Sequence, residues 1–272
     1  MRKIFALLVI LSLSGLAFSM PQRAIAADLP QASDYEMPPM PEVQFDFVPF
    51  YVWIPGMNGD LGVFGTKAKI DITPIDILKN VKSFLEVLDG IYFGSGHLQY
   101  GDLGFMYDVT YMEVSSTQKI GNNFLTGALD VGFGLTLGTL LGTYKLYDTE
   151  ESRIDVLAGV RIWDVKLNVQ LALGPIQGGG KEGDTWVDPV VGFKGRHNLT
   201  ESTYLTGWAM VGGFGAGSDI MYDVFGGVGY EINDMFSAIG GMRASYADYK
   251  GKDGFLWDVT MYGPIIGASV KF

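Results

Sequence analysis

Ten segments in which apolar and polar residues alternate limit what this chain can become. They occupy 45–53, 91–100, 103–114, 128–147, 153–173, 186–198, 203–211, 220–232, 235–249 and 255–272. A period of two marks strands with one apolar face. The connections after the even-numbered segments are tight, at 101–102, 148–152, 199–202 and 233–234. Those after the odd-numbered segments are mostly longer, at 54–90, 115–127, 174–185, 212–219 and 250–254.

The two faces differ in kind. In the last segment Tyr262, Pro264, Ile266, Ala268, Val270 and Phe272 share one face, against Met261, Gly263, Ile265, Gly267, Ser269 and Lys271. In the sixth, Val187, Pro189, Val191 and Phe193 oppose Asp188, Val190, Gly192, Lys194 and Arg196. A soluble sandwich would turn Lys, Thr and Glu outward. Here the less apolar face is largely Gly with scattered charges of both signs, which suits the crowded lumen of a small barrel. Short turns at one end, long loops at the other and an even strand count are the plan of an outer-membrane barrel with both termini in the periplasm. The expected fold is therefore all-β: a closed antiparallel up-and-down transmembrane β-barrel of about ten strands over 45–272. Residues 59–72 could add a hairpin arm, so eight or twelve strands stay open.

Composition removes other classes. Gly accounts for 38 of 272 residues and Cys for none. Without Cys there is no disulfide framework, zinc finger, iron–sulfur cluster or thiol nucleophile. The balance of 19 basic to 30 acidic residues forms no basic cluster and excludes nucleic acid as a partner. Residues 1–27 read as a signal peptide: Arg2 and Lys3, an apolar run over 4–18, then the small-x-small pattern Ala24-Ile25-Ala26. The run is shorter than the roughly 20 residues that cross a bilayer as a helix. Residues 28–44, acidic and Pro-rich, read as a periplasmic linker.

Three further expectations follow. Residues 73–89 read as one amphipathic helix in the first outer loop, N-capped by Thr73 with Pro74 at its first position. Its apolar arc is Ile77, Leu78, Val81, Phe84, Leu85 and Leu88, and packing on or in the barrel mouth is the favoured placement. The apolar phase of the fourth and fifth segments switches near Gly138-Thr139 and Trp163-Asp164, at one height of the hairpin. This reads as paired bulges at the outer membrane surface, with the hairpin projecting above. Trp53, Trp163, Trp186, Trp208 and Trp257 read as an outer interfacial girdle, and Tyr100, Tyr147, Tyr230, Phe236 and Phe272 as an inner one.

Candidate chemistry is sparse. Ser95 and His97 share the polar face of one strand, and only this pair hints at a lipid-modifying enzyme. No strained nucleophile turn accompanies it. His197 falls at a strand end. The run Gly178-Gly179-Gly180-Lys181 fails as a phosphate loop, since Pro175 stands where the first Gly must be and Glu182 where Ser or Thr must follow. The lumen charges are Asp108, Asp155, Arg161, Asp188, Lys194, Arg196, Asp223, Glu231 and Arg243. Of these, Asp108, Arg161, Asp188, Lys194, Arg196 and Arg243 are the candidate binding residues. Mixed signs in a narrow lumen pair across it, because uncompensated buried charge is costly. A closed polar core is the favoured reading over a narrow hydrophilic path or small-solute pocket.

The ending carries a resemblance. Tyr262, Ile266, Val270 and terminal Phe272 resemble the closing strand of Gram-negative outer-membrane β-barrels, and look like their assembly signal. More narrowly, the stretches Trp53-Ile54-Pro55-Gly56-Met57-Asn58-Gly59, Ile75-Asp76-Ile77-Leu78 and Trp186-Val187-Asp188-Pro189-Val190-Val191-Gly192 are similar to a group of uncharacterised proteobacterial outer-membrane barrels. The resemblance implies residence in the outer membrane after export. It implies contact with its lipid and lipopolysaccharide, and handling by periplasmic chaperones and barrel-assembly machinery. No cofactor and no metal are expected. The expected function is non-enzymatic, structural or surface-interacting. A narrow channel or solute-binding barrel gated by 73–89, and a lipid-modifying enzyme, are the alternatives. The oligomeric state is left open.

Overall fold

The computed structural model describes residues 43–63, 65–121, 126–173 and 176–272. The expected signal peptide at 1–27, and the linker apart from Val43 and Gln44, lie outside them. Twelve strands and two short helices form in chain order. These are β1 (Val43–Trp53), β2 (Gly56–Val63), β3 (Thr66–Ile72), α1 (Pro74–Lys79), α2 (Val81–Val87), β4 (Leu88–Tyr100), β5 (Leu103–Gly121), β6 (Thr126–Asp148), β7 (Ser152–Leu173), β8 (Ile176–Asn198), β9 (Thr203–Gly212), β10 (Ile220–Glu231), β11 (Phe236–Lys250) and β12 (Leu256–Lys271).

Ten of the strands make a closed antiparallel ring. The order β1-β4-β5-β6-β7-β8-β9-β10-β11-β12 returns to β1, which pairs with β12 from Asp46↔Lys271 to Trp53↔Ile265. The hairpin arm over 59–72 exists but stays out of the ring. β2 pairs with the upper part of β12, and β3 pairs with β2. The tight turns lie at one end, here the lower. There Phe45 N–H donates to Phe272 O at 3.1 Å and Phe272 N–H to Phe45 O at 2.9 Å, which pins the last residue to the first strand.

Alternation sorts the side chains as the patterning predicts. Val187, Val191, Phe193, Val224, Val228 and Ile266 are exposed on the outer face. A continuous apolar belt of this size has no place on a water-soluble monomer. Tyr100, Tyr147, Tyr230, Phe236 and Phe272 are exposed at its lower edge, where the inner girdle was expected.

The outer girdle is a correction. Trp53, Trp163, Trp186 and Trp257 are 0–5 % exposed inside the barrel, and Trp208 packs on the same core. Tyrosines edge the belt instead: Tyr92, Tyr111, Tyr222, Tyr246 and Tyr262 lie on its outer face at the upper end. Tyr222 and Tyr246 stack there at 5.0 Å.

The paired bulges are a second correction. The β6–β7 ladder runs without a shift from Gly127↔Leu173 to Lys145↔Asp155. Its one irregularity falls at Lys145/Tyr147, beside the turn. Odd-numbered side chains point inward along both strands, including Leu135, Leu137, Leu141, Trp163 and Val165, all at most 1 % exposed. What switches is the environment. Above the belt the exterior turns polar, with Thr136, Asp164 and Lys166, while the lumen turns apolar. Both changes move the hydrophobic phase without inserting a residue. Strands β5–β8 do continue past the belt, as a four-stranded extension.

The helix differs as well. It breaks at Asn80 into α1 and α2. The capping box forms, Asp76 N–H donating to Thr73 Oγ1 and Thr73 N–H to Asp76 Oδ2, both at 3.1 Å. Neither helix buries a residue fully. Ile77, Phe84 and Leu88 are half-buried, whereas Ile75, Leu78, Val81 and Leu85 are exposed. The apolar arc is thus divided between protein and surroundings rather than inserted into the mouth.

Candidate functional site

The lumen is layered, and its middle layer is a charged plug. Arg243 on β11 reaches across the barrel. Its Nη2 donates to Asp108 Oδ1 on β5 at 2.8 Å and to Asp223 Oδ2 on β10 at 2.9 Å. Its Nη1 donates to the Tyr51 hydroxyl on β1 at 2.9 Å, which donates on to Asp108 Oδ2 at 2.9 Å. Arg161 on β7 enters from the other side. Its Nη1 donates to Asp223 Oδ2 at 2.8 Å and its Nε to Thr139 Oγ1 on β6 at 2.9 Å. Trp208 Nε1 on β9 donates to Asp223 Oδ1 at 2.6 Å.

Seven wall strands therefore meet at one network of two guanidinium groups and two carboxylates. Arg161, Arg243, Asp108 and Asp223 are each at most 1 % exposed. Formal charge balances within the layer, which is what makes its burial tolerable. Arg243 also lies 5.0 Å from the Trp53 ring and 5.5 Å from the Trp208 ring, so aromatic faces cover the guanidinium where carboxylates do not.

Below the plug is a vestibule of about 160 Å³ open toward the lower end. Arg196 donates from Nη2 to Glu231 Oε1 at 2.5 Å and lies 3.6 Å over the Tyr204 ring. Arg153 donates from Nε to Asp155 Oδ1 at 2.9 Å and from Nη2 to Gln99 Oε1 at 2.7 Å. Lys194 Nζ lies 3.2 Å from His97 Nδ1, and His97 Nε2 lies 3.1 Å from Thr143 Oγ1. Both nitrogens of His97 are thus engaged, neither with Ser95. His197 lies at the lower rim, its Nδ1 2.8 Å from Ser152 Oγ.

Above the plug the lumen is aromatic. Trp186 stacks between Trp163, at 5.4 Å, and Tyr249, at 3.9 Å. Tyr249 donates to Asp184 Oδ2 at 2.7 Å. Burial and this carboxylate push the Tyr249 hydroxyl up to about 12. Asp188 accepts from Ser218 N–H at 2.6 Å and from Ser218 Oγ at 2.8 Å, which draws the β9–β10 loop into the mouth. Trp186 Nε1 donates to Ser218 Oγ at 2.9 Å. A groove of about 1240 Å³ lies against the β5–β8 extension, between apolar Phe133, Leu167 and Phe255 and polar Asp164, Lys166 and Lys252.

Of the six predicted site residues, the fold brings Asp108, Arg161 and Arg243 into the plug. It places Lys194 and Arg196 below and Asp188 above. Sequence reading missed Tyr51, Thr139 and Ser218. Tyr51 shares the inward phase of its strand but carries no charge to single it out, Thr139 sits where the hydrophobic phase switches, and Ser218 belongs to the β9–β10 loop, where alternation assigns no face. Of the ending residues, Ile266 and Phe272 are each 67 % exposed on the outer face, where Tyr262 and Val270 are half-buried.

No family model matches this chain. No curated protein matches it either. Solved structures do. The outer-membrane protease OmpT from Escherichia coli is similar at 12 % identity and TM-score 0.44, over 85 % of this chain and 96 % of that one. The translocator domain of the autotransporter NalP from Neisseria meningitidis is similar at 11 % identity and TM-score 0.42, over 87 % and 90 %. The attachment invasion locus protein Ail of Yersinia pestis, in complex with the heparin analogue sucrose octasulfate, is similar at 10 % identity and TM-score 0.38, over 85 % and 99 %.

Proposed function

We propose that this chain is an integral outer-membrane barrel, of the uncharacterised proteobacterial group its short motifs resemble. In this reading its lumen is closed to solutes and its work is done at the surface. The tight turns, the start of β1 and the end of β12 face the periplasm, and the β5–β8 extension faces outward. The role is non-enzymatic: a structural element of the envelope, or a binding surface presented by that extension.

The plug carries this reading. Two salt-bridged arginines with aromatic and hydroxyl partners fill the cross-section at a level where a channel would need water. A ten-stranded barrel has little lumen to spare once side chains occupy it, whereas wide aqueous pores belong to barrels of about 16 to 18 strands. A channel gated by 73–89 finds little support, since α1 and α2 present half their apolar surface away from the protein. An enzyme built on His97 finds little either, because that imidazole lies below the plug with Lys194 and Thr143 as its partners.

Planar-bilayer recording of the purified protein tests the proposal. The wild type conducts no steady ionic current, while Arg243→Ala, which removes the residue joining both carboxylates, admits one. Sustained conductance by the wild type, unchanged in Arg243→Ala, would overturn the closed-lumen reading.

A further inference from the structure

The barrel wall has a seam. The β1–β4 ladder runs from Val43↔Tyr100 to Val48↔Ser95 and stops. At Pro49, which has no N–H to give, β1 shifts register by a bulge between Phe47 and Phe50 and continues on β12 alone. β4 continues upward on β5 alone, to Leu88↔Val114. Higher still, β2 extends the β12 edge and β3 pairs only with β2. Among the described residues, then, the β3 edge and the upper β4 edge face a gap with no ladder across it.

Side chains close part of the seam. Phe50 meets Tyr92 edge-on at 5.8 Å on the outside, and Tyr51 stacks on Phe93 at 5.5 Å on the inside. Tyr92 lies so close over Gly94 that a Cβ there would fall 2.5 Å from its hydroxyl. The chain joining the two free edges is α1–α2, with α1 against β2 and β12 and α2 against β5. At belt height the gap lies between β1 beyond Val48 and β4 beyond Ser95, where each unpaired group at membrane depth would cost several kcal/mol, so something must cover it. The helices run from Ile72, which pairs with Met57 opposite Met261, to Leu88. That places them at the upper edge of the belt, beside Tyr262, Ile91 and Tyr92. Their outward stripe, Ile75, Leu78, Val81 and Leu85, is 48–60 % exposed. Phe50, Val52 and Ile91 are exposed on the outer face of the neighbouring strands β1 and β4. Lys79 and Lys82 are exposed on the polar side, where long basic side chains reach headgroups.

We infer that α1–α2 is the lipid-facing closure of this lateral seam: Ile75, Leu78, Val81 and Leu85 bind acyl chains of the outer leaflet, and the polar face lies among headgroups. This rests on the membrane reading above. It assigns lipid, not the barrel mouth or a partner protein, as what covers the stripe.

The absence of native Cys makes the test clean. Leu78→Cys, Leu85→Cys, Lys82→Cys and Val228→Cys are each spin-labelled on the full-length barrel in phosphatidylethanolamine–phosphatidylglycerol vesicles. Collision with oxygen is compared with collision with a water-soluble nickel chelate. The expected result is an oxygen-to-nickel ratio at Leu78 and Leu85 severalfold above that at Lys82, approaching that at the belt position Val228. Nickel access at Leu78 and Leu85, with Val228 still in lipid, overturns the inference alone. So does shielding from both reagents, which would mean burial in the mouth or against another copy. Nickel access at Val228 overturns the membrane reading as well.

Discussion

Arg243 shows why the plug holds together. Among the described residues it makes two of the three fully buried ion pairs, and it bonds to both Asp108 and Asp223. Buried pairs are not strong because charges attract. They are costly to break, because the remaining partner is left unpaired and desolvated. Arg243→Met should therefore destabilise the folded barrel by about 3–5 kcal/mol. Arg161→Met, which strands one carboxylate still held by Arg243 and Trp208, should cost less. Heat denaturation of both variants in the same detergent checks the order, and equal midpoints would mean that Arg243 does not join the halves. The charges at 108, 161, 223 and 243 were legible as inward by alternation alone. Their pairing was not, since Arg243 and Tyr51 lie 192 residues apart and meet only because the ring closes.

At the scale of single elements, the upper strand ends and loops are tied by polar bonds under aromatic cover. The β9–β10 loop is fastened by Asp188, which takes both the N–H and the hydroxyl of Ser218. Asp188→Ala leaves a buried N–H unpaired, at a cost of about 1–3 kcal/mol. Amide exchange over 213–219 should then accelerate while the β10–β11 ladder stays protected; acceleration throughout would point to global destabilisation instead. The Tyr249–Asp184 bond gives a pH dependence of defined sign. The Tyr249 hydroxyl holds its proton to about pH 12 in the folded state, against about 10 in the unfolded chain. The unfolded state thus loses that proton first, and stability falls as pH rises from about 10 toward 12. Titrating denaturation midpoints over this range should show a decline that is shallower in Tyr249→Phe. Identical slopes would remove Tyr249 from the account. The helix was legible as amphipathic through its cap and arc. Its place against β2, β12 and β5 was not legible, since that depends on strand pairings no local pattern carries.

The whole molecule is a barrel whose interior changes character with height, and that change misled the reading of both the tryptophans and the β6–β7 phase. Alternation tells which residues share a face. It does not tell which face is wet. In the lower half the lumen is polar and the exterior apolar, so hydrophobicity marks the outside. Above the plug the lumen fills with Trp163, Trp186 and Trp257 while the exterior meets water, and hydrophobicity marks the inside. A girdle and a core of tryptophan look alike in one dimension and differ sharply in the fluorescence of the folded protein. With all native indoles inside the wall, brominated acyl chains should quench the wild type only weakly, and aqueous acrylamide should quench it little. Val228→Trp adds one indole to the exposed belt. The added emission should be the fraction brominated lipid removes most readily. If brominated lipid instead quenched the native emission as deeply as the added one, the tryptophans would be in the hydrocarbon and the layered lumen would be wrong.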